Sequence, residues 1–185
     1  MTTAMQIASW MLARAATSGV SNMSNMKLNK MLYFAQAHHL AATGTTLFDD
    51  HVEAWDHGPV VYDVYTEFSR FKGDPIQTDD IPVPPELDEV AEDVLAQVWA
   101  IYSHRTAAQL RAMSHDDPPY VDHYTGTHRT VMPVDEIRDY YHRGAPAGEH
   151  VISAHVDYVD EQDVAALDRA STPEVVAKAV AYLLA

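Results

Sequence analysis

Cysteine is absent from the 185-residue chain. Disulfides, thiolate nucleophiles and cysteine-built zinc sites are excluded with it, and the absence fits a reducing compartment. Cations are scarce: 12 Lys and Arg stand against 27 Asp and Glu, a formal net charge of −15. Nucleic-acid binding draws on cations that displace condensed counterions, so this balance argues against a general nucleic-acid binder and against a role on anionic membranes. Nor is there an apolar run near the roughly 20 residues that span a bilayer. The first residues, MTTAMQIASWMLARAATSG, lack the basic start and cleavage site of a signal peptide and read as an amphipathic helix. A cytoplasmic location without a membrane partner is the expectation. No P-loop, dinucleotide fingerprint or G-x-S-x-G motif occurs, nor an internal repeat, so no enzymatic activity and no cofactor are expected.

What is present has the composition of an ordinary globular domain: 47% hydrophobic and 21% charged residues. The length suits one domain with a sizeable core. Its charge is uneven. Residues 1–73 hold five Lys and Arg against six Asp and Glu, whereas residues 74–185 hold seven against 21. An acidic half of this kind suits a basic protein partner, or serves solubility alone.

Hydrophobic spacing predicts a mainly α-helical fold with a small β-hairpin. Ile7, Trp10, Met11 and Ala15 mark a first helix stopped by Ser18-Gly19. The strongest pattern spans residues 26–43, capped by Ser24 or Asn25 and ended by Gly44. There Leu28, Met31, Leu32, Ala35 and His39 form an apolar line, beside a basic-aromatic edge of Lys27, Lys30, Phe34 and His38. His38 and His39 point to neighbouring faces and do not chelate as a pair, one packed and the other exposed. Residues 46–57 read as a hairpin turning at Asp49-Asp50. Gly58-Pro59 then reads as the exit from the strand and the start of a helix carrying Val61, Val64, Tyr65 and Phe68.

The proline-rich stretch 73–86 is a loop. Helices follow over 86–103, 105–114 and from Pro133, with an irregular segment at 115–130; a strand at 155–159, a helix capped at Asp160 and a last helix from Thr172 complete the reading. We expect one domain over 1–143, with an extension, 144–185, packed on it.

Two constellations carry possible chemistry. His115, Asp116, Asp117, His123 and His128 are potential metal ligands for a small hydrolase. Their spacing matches no helix-borne motif, and a polar turn-rich loop is the favoured reading. The second is a recognition surface: Lys27, Lys30, Tyr33 and Phe34 on the second helix, extended by Trp55, His57, Tyr62 and Tyr65. Aromatic residues with a few charges are what protein-binding surfaces favour.

The stretch KLNKMLYFAQAHHLAATGTTLFDDHVEAWDHGPVVYDVYTEF resembles the Panacea domain, the family of SocA- and GepA-like antitoxins and phage-associated proteins. Lys27, Leu28, Lys30, Leu32, Tyr33, Ala35 and Gln36 match its first block, K-L-x-K-L-L-Y-Y-A-Q. Glu53, Ala54, Trp55, Gly58, Pro59, Val60, Val64 and Tyr65 match its second, E-A-W-x-x-G-P-V-x-x-x-V-Y. A weaker match lies at LRAMSHDDPPY, with Tyr120 where tryptophan is usual. The resemblance covers roughly residues 4–142. It implies a mostly helical fold with a small β element, and an antitoxin that binds and neutralises a toxin encoded by a neighbouring gene. The toxin would dock on Lys27, Lys30, Tyr33, Phe34, Trp55, His57, Gly58, Pro59, Val60, Tyr62 and Tyr65. One branch of the family instead delivers its toxin to a Clp protease. A DNA-binding role is not expected, since no basic helix-turn-helix is present.

Overall fold

Helix α2, Asn25–Thr43, is the axis of the molecule. In this computed structural model, which describes residues 2–77, 84, 86–126 and 130–144, every residue from Lys27 to Leu40 is buried. A helix buried on all sides must be surrounded, and α2 is packed by α1 (Ala4–Ser18), α4 (Glu89–Tyr102), α5 (Ala107–Asp116), α7 (Val134–Gly144) and the sheet. The short helices α3 (Tyr62–Glu67) and α6 (Pro118–Val121) fill the corners. The fold is mainly α with one small antiparallel sheet, as expected.

Local chemistry sets the helix limits. Thr3 and Thr106 begin α1 and α5 with capping boxes closed by Gln6 and Gln109. Ser24 and Asp88 cap α2 and α4. Gly19 and Gly44 end α1 and α2 in the left-handed conformation. The core joins Ile7, Met11 and Leu12 of α1 to Leu28, Met31 and Leu32 of α2, Val94, Leu95 and Val98 of α4, and Ile137 and Tyr141 of α7. Trp10 meets Trp99 edge to face, with ring centroids 6.3 Å apart.

The sheet corrects the expected hairpin. Its strands are β1 (Val52–Trp55), β2 (Gly58–Val61) and β3 (Thr130–Val131), in the order β2-β1-β3. The chain turns at Asp56-His57, not at Asp49-Asp50, and pairs Trp55 with Gly58 and Val52 with Val61. Gly58-Pro59 accordingly starts no helix. Both lie in β2, and helix α3 begins at Tyr62. Pro59 is tolerated because β2 is an edge strand, where a missing N–H costs no ladder bond. Strand β3 pairs Glu53 with Val131 and carries the chain to α7.

Polar residues of α2 tether the rest. Gln36 accepts from the amides of Leu47 and Phe48 and donates to Phe48 O, fixing the approach to β1. Asn29 Oδ1 accepts from Val61 N at 2.9 Å, and Asn25 Nδ2 donates to Tyr65 O at 2.9 Å. His38 Nε2 and the Tyr102 hydroxyl lie 2.7 Å apart. His38 and His39 are both buried, so the expected division into packed and exposed does not hold. Buried polar atoms are tolerated when they are bonded, and here each bond reaches a different element. The strand expected at 155–159 and the two helices expected after it lie outside the described residues.

Candidate functional site

The expected basic-aromatic edge is not a surface. Lys27 and Lys30 are 0% and 1% exposed, and Tyr33 and Phe34 are equally enclosed. The reason is the placement of α2: its second line of side chains meets α4, α5 and α7 instead of water. Lys27 Nζ donates to Asn22 Oδ1 at 2.7 Å and to Ser103 O, at the C-terminus of α4, at 2.6 Å. A cation there complements the helix dipole. Phe34 stacks on Tyr102, with ring centroids 4.3 Å apart. Tyr33 and Tyr141 both donate to Asp117 Oδ2, at 2.8 and 2.6 Å. Burial first, then the Asp117 charge, raises the Tyr33 hydroxyl well above its ordinary range; burial raises that of Tyr141 likewise.

The outer half of the expected surface does assemble. Trp55 lies half-buried with Tyr65 and Tyr62 beside it, at centroid distances of 4.9 and 6.2 Å. Tyr62 and Tyr65 are 39% and 40% exposed, and Met26 nearby 39%. His57 is exposed in the turn, whereas Gly58, Pro59 and Val60 are buried. Trp55 Nε1 donates to Glu53 Oε2, and its carbonyl accepts from the Tyr120 hydroxyl at 2.8 Å.

Beneath these aromatics opens a cleft of about 560 Å³. Met26, Trp55, His57, Val60 and Tyr65 line its walls, with Asn25, Asn29 and Lys30 from α2, Asp56 from the turn, and Ser69, Lys72 and Gly73 beyond α3. Of the expected site residues, Lys30, Trp55, His57, Val60 and Tyr65 therefore meet in one cavity. Lys27, Tyr33, Phe34, Gly58, Pro59 and Tyr62 do not line it. Asn25, Asn29, Met26 and Lys72 were missed; the four-residue spacing of the two asparagines on one helix face was the available signal.

Lys30 enters from below. Its Nζ donates to Pro59 O at 2.7 Å. Among the described residues no carboxylate forms an ion pair with it. Burial, reinforced by the Arg111 guanidinium, lowers its ammonium to about 7. Gly58 makes room: a Cβ there would stand 2.8 Å from Lys30 Cε and 3.0 Å from Nζ, and its φ of 93° is one that side-chain-bearing residues avoid. His115 adjoins the same region, its Nε2 buried without a partner, and burial together with the charges of Arg111 and Lys30 lowers its pKa. Arg111 itself donates to Asp56 O.

The His/Asp segment disperses. Asp117 faces Tyr33 and Tyr141, His123 pairs with Glu136 at 2.7 Å, and the His115 ring lies against Tyr120. Among the described residues no three His, Asp or Glu converge to hold a metal ion; His128 lies outside them.

Fold and site together define a mainly helical domain built around one buried helix, with an aromatic-rimmed cleft over its N-terminal half. The chain belongs to the antitoxin SocA-like family, Panacea domain, whose model matches residues 28–120. Among curated proteins it is similar to antitoxin SocA of Caulobacter vibrioides (strain NA1000 / CB15N), at 32% identity over 119 residues, 59% of this chain. The matched region covers 63% of that relative. No solved structure matches. Among the described residues no helix is long and apolar enough to cross a membrane.

Proposed function

We propose that the protein is the antitoxin of a toxin–antitoxin pair: a cytoplasmic, non-catalytic protein that neutralises the product of a neighbouring gene by binding it directly. Membership of the antitoxin SocA-like family carries this reading. The docking surface is the exposed aromatic cluster of Trp55, Tyr62 and Tyr65, with His57 and the cleft below. Clustered aromatics beside a pocket are the usual energetic centre of a protein interface. The fully enclosed Lys27, Tyr33 and Phe34 of the expected surface serve to build it rather than to touch the partner.

Co-expression with the neighbouring gene tests the reading. Growth rescue together with a co-purifying complex is the expected result. Trp55→Ala and Tyr65→Ala should weaken the complex by tenfold or more while leaving the fold intact, as a hot-spot residue costs about 2 kcal/mol or more. Rescue that needs a Clp protease and leaves no stable complex would instead identify a delivery adaptor. Absence of toxicity and of a complex would overturn the antitoxin reading for that gene pair.

A further inference from the structure

The cleft has a charge opposite to that of its protein. The chain carries a net charge of −15, yet the lining presents Lys30 and Lys72 against the single acid Asp56. Asp56 Oδ1 accepts from the Tyr124 hydroxyl at 3.0 Å. Lys30 is the unusual member. A lysine ammonium offers three hydrogens, and the bond to Pro59 O accounts for one. A cation taken from water is ordinarily paired, and no carboxylate of the described chain pairs with this one. It reaches the cavity floor from α2, under a wall formed by Trp55 and Tyr65. Arg111, from α5, adds a second positive charge close enough to perturb it.

We propose that this cleft receives an acidic side chain of the bound partner, its carboxylate against Lys30 and the adjoining apolar side chain against Trp55 and Tyr65. The inference rests on the reading of the protein as one that binds a partner protein, and it names the chemistry of the partner segment. Three features of the cavity specify an acidic segment. Among the described residues neither of its lysines forms an ion pair with a carboxylate, its rim is aromatic, and its volume of about 560 Å³ is of pocket size, enough for side chains but not for a folded element. A carboxylate brought to Lys30 holds the ammonium in its charged form, so binding and charging of the lysine reinforce one another.

An array of nonapeptides tests this on the full chain. Each peptide places one Asp or Glu beside Leu, Phe or Trp in a Gly-Ser background, and each has a twin with Asn or Gln instead. Acidic peptides are expected to bind at least tenfold more tightly than their amide twins by fluorescence anisotropy. Lys30→Met should bring the pairs to parity, and Tyr65→Ala should weaken both. Lys72→Glu, at the exposed end of the lining, should reduce the acidic preference even where Lys30→Met alters the fold. Equal binding of the twins, or a preference that survives both lysine substitutions, overturns the proposal. Co-expression separates the two levels. A wild-type chain that rescues growth, with both lysine variants rescuing equally well, refutes the cleft's role and leaves the antitoxin reading standing. A wild-type chain that fails to rescue refutes that reading, while the array still decides what the cleft binds.

Discussion

Lys30 connects two stretches of the family-matched region, the start of α2 and strand β2: it stands in the first, and its ammonium donates to Pro59 O of the second, beside Gly58. This position has a consequence for stability. In an unfolded chain a lysine keeps its proton to about 10.4, whereas here burial and Arg111 lower it to about 7. Between those values the unfolded state holds more protons, so the free energy of unfolding rises with pH. Lys27, also lowered by burial, acts in the same direction. His39 and His115, lowered by burial, add a loss of stability below about pH 6.5. Tyr33 and Tyr141 keep their protons throughout this window. Arg111 and His115 are the charged and titratable groups coupled to Lys30, and His57 and Asp56 line the same cleft. Urea denaturation should therefore show stability increasing from pH 7 to 9. Lys30→Met should lower that slope by roughly 1 kcal/mol per pH unit, close to the 1.36 kcal/mol limit for one proton. Equal slopes in the two proteins would place the Lys30 titration elsewhere.

At the scale of elements, Asp117 is a buried polar joint. It ends α5, precedes α6, and accepts hydroxyls from α2 and α7 on one oxygen. Removing a single donor leaves the carboxylate its other bond, so Tyr33→Phe and Tyr141→Phe should each cost about 1–2 kcal/mol. Asp117→Ala strands two buried hydroxyls and should cost about 3–5 kcal/mol. The two tyrosine substitutions should couple by at least 0.5 kcal/mol in a double-mutant cycle, because both donors share one acceptor. Additive losses in urea denaturation would mean that the three side chains do not act as a unit.

This joint also shows what the sequence makes legible. The helices were readable because caps and apolar spacing are local: Ser24 and Gly44 bound α2 on the signals expected of them. The hairpin was misplaced because its register depends on distant partners. Asn29 binds Val61 N across 32 residues, and β3 arrives from residue 130. Asp49-Asp50 offered a good local turn, but Asp50 Oδ2 is instead taken by the Ala4 amide, 46 residues away. Lys27 and Lys30 were expected at the surface because a lysine in a periodic pattern is usually solvated. Apart from Asn22 Oδ1, which also accepts from Lys27, their acceptors, Ser103 O and Pro59 O, are backbone atoms far along the chain that no residue type reveals. Trp55, Tyr65 and His57 were legible as neighbours, which line one cleft, because they lie within one hairpin and the helix that follows it.

For the whole molecule, the family-matched block is less than the folding unit. Residues 28–120 include α4 and α5 but neither α1 nor α7. Both of those helices cover α2, and both carry core residues: Ile7, Met11 and Leu12 on one, Ile137 and Tyr141 on the other, with Met132 leading into the latter. Burying each such side chain contributes about 1.5–3 kcal/mol. Ending the chain at Val121 removes Met132, Ile137 and Tyr141 together, leaves Tyr33 and His38 without their ring contact to Tyr141, and withdraws one of the two hydroxyls from Asp117. The loss, roughly 5–9 kcal/mol from the three side chains alone, matches the entire stability of an ordinary domain, about 5–15 kcal/mol. A chain ending at Gly144 retains all of these contacts. The shorter chain is accordingly expected to be unfolded or aggregated, and the longer one to melt cooperatively, as circular dichroism and thermal denaturation will show. Cooperative melting of the chain ending at Val121 would mean that α2 needs no cover from α7, and that the core closes on the family-matched block and α1 alone.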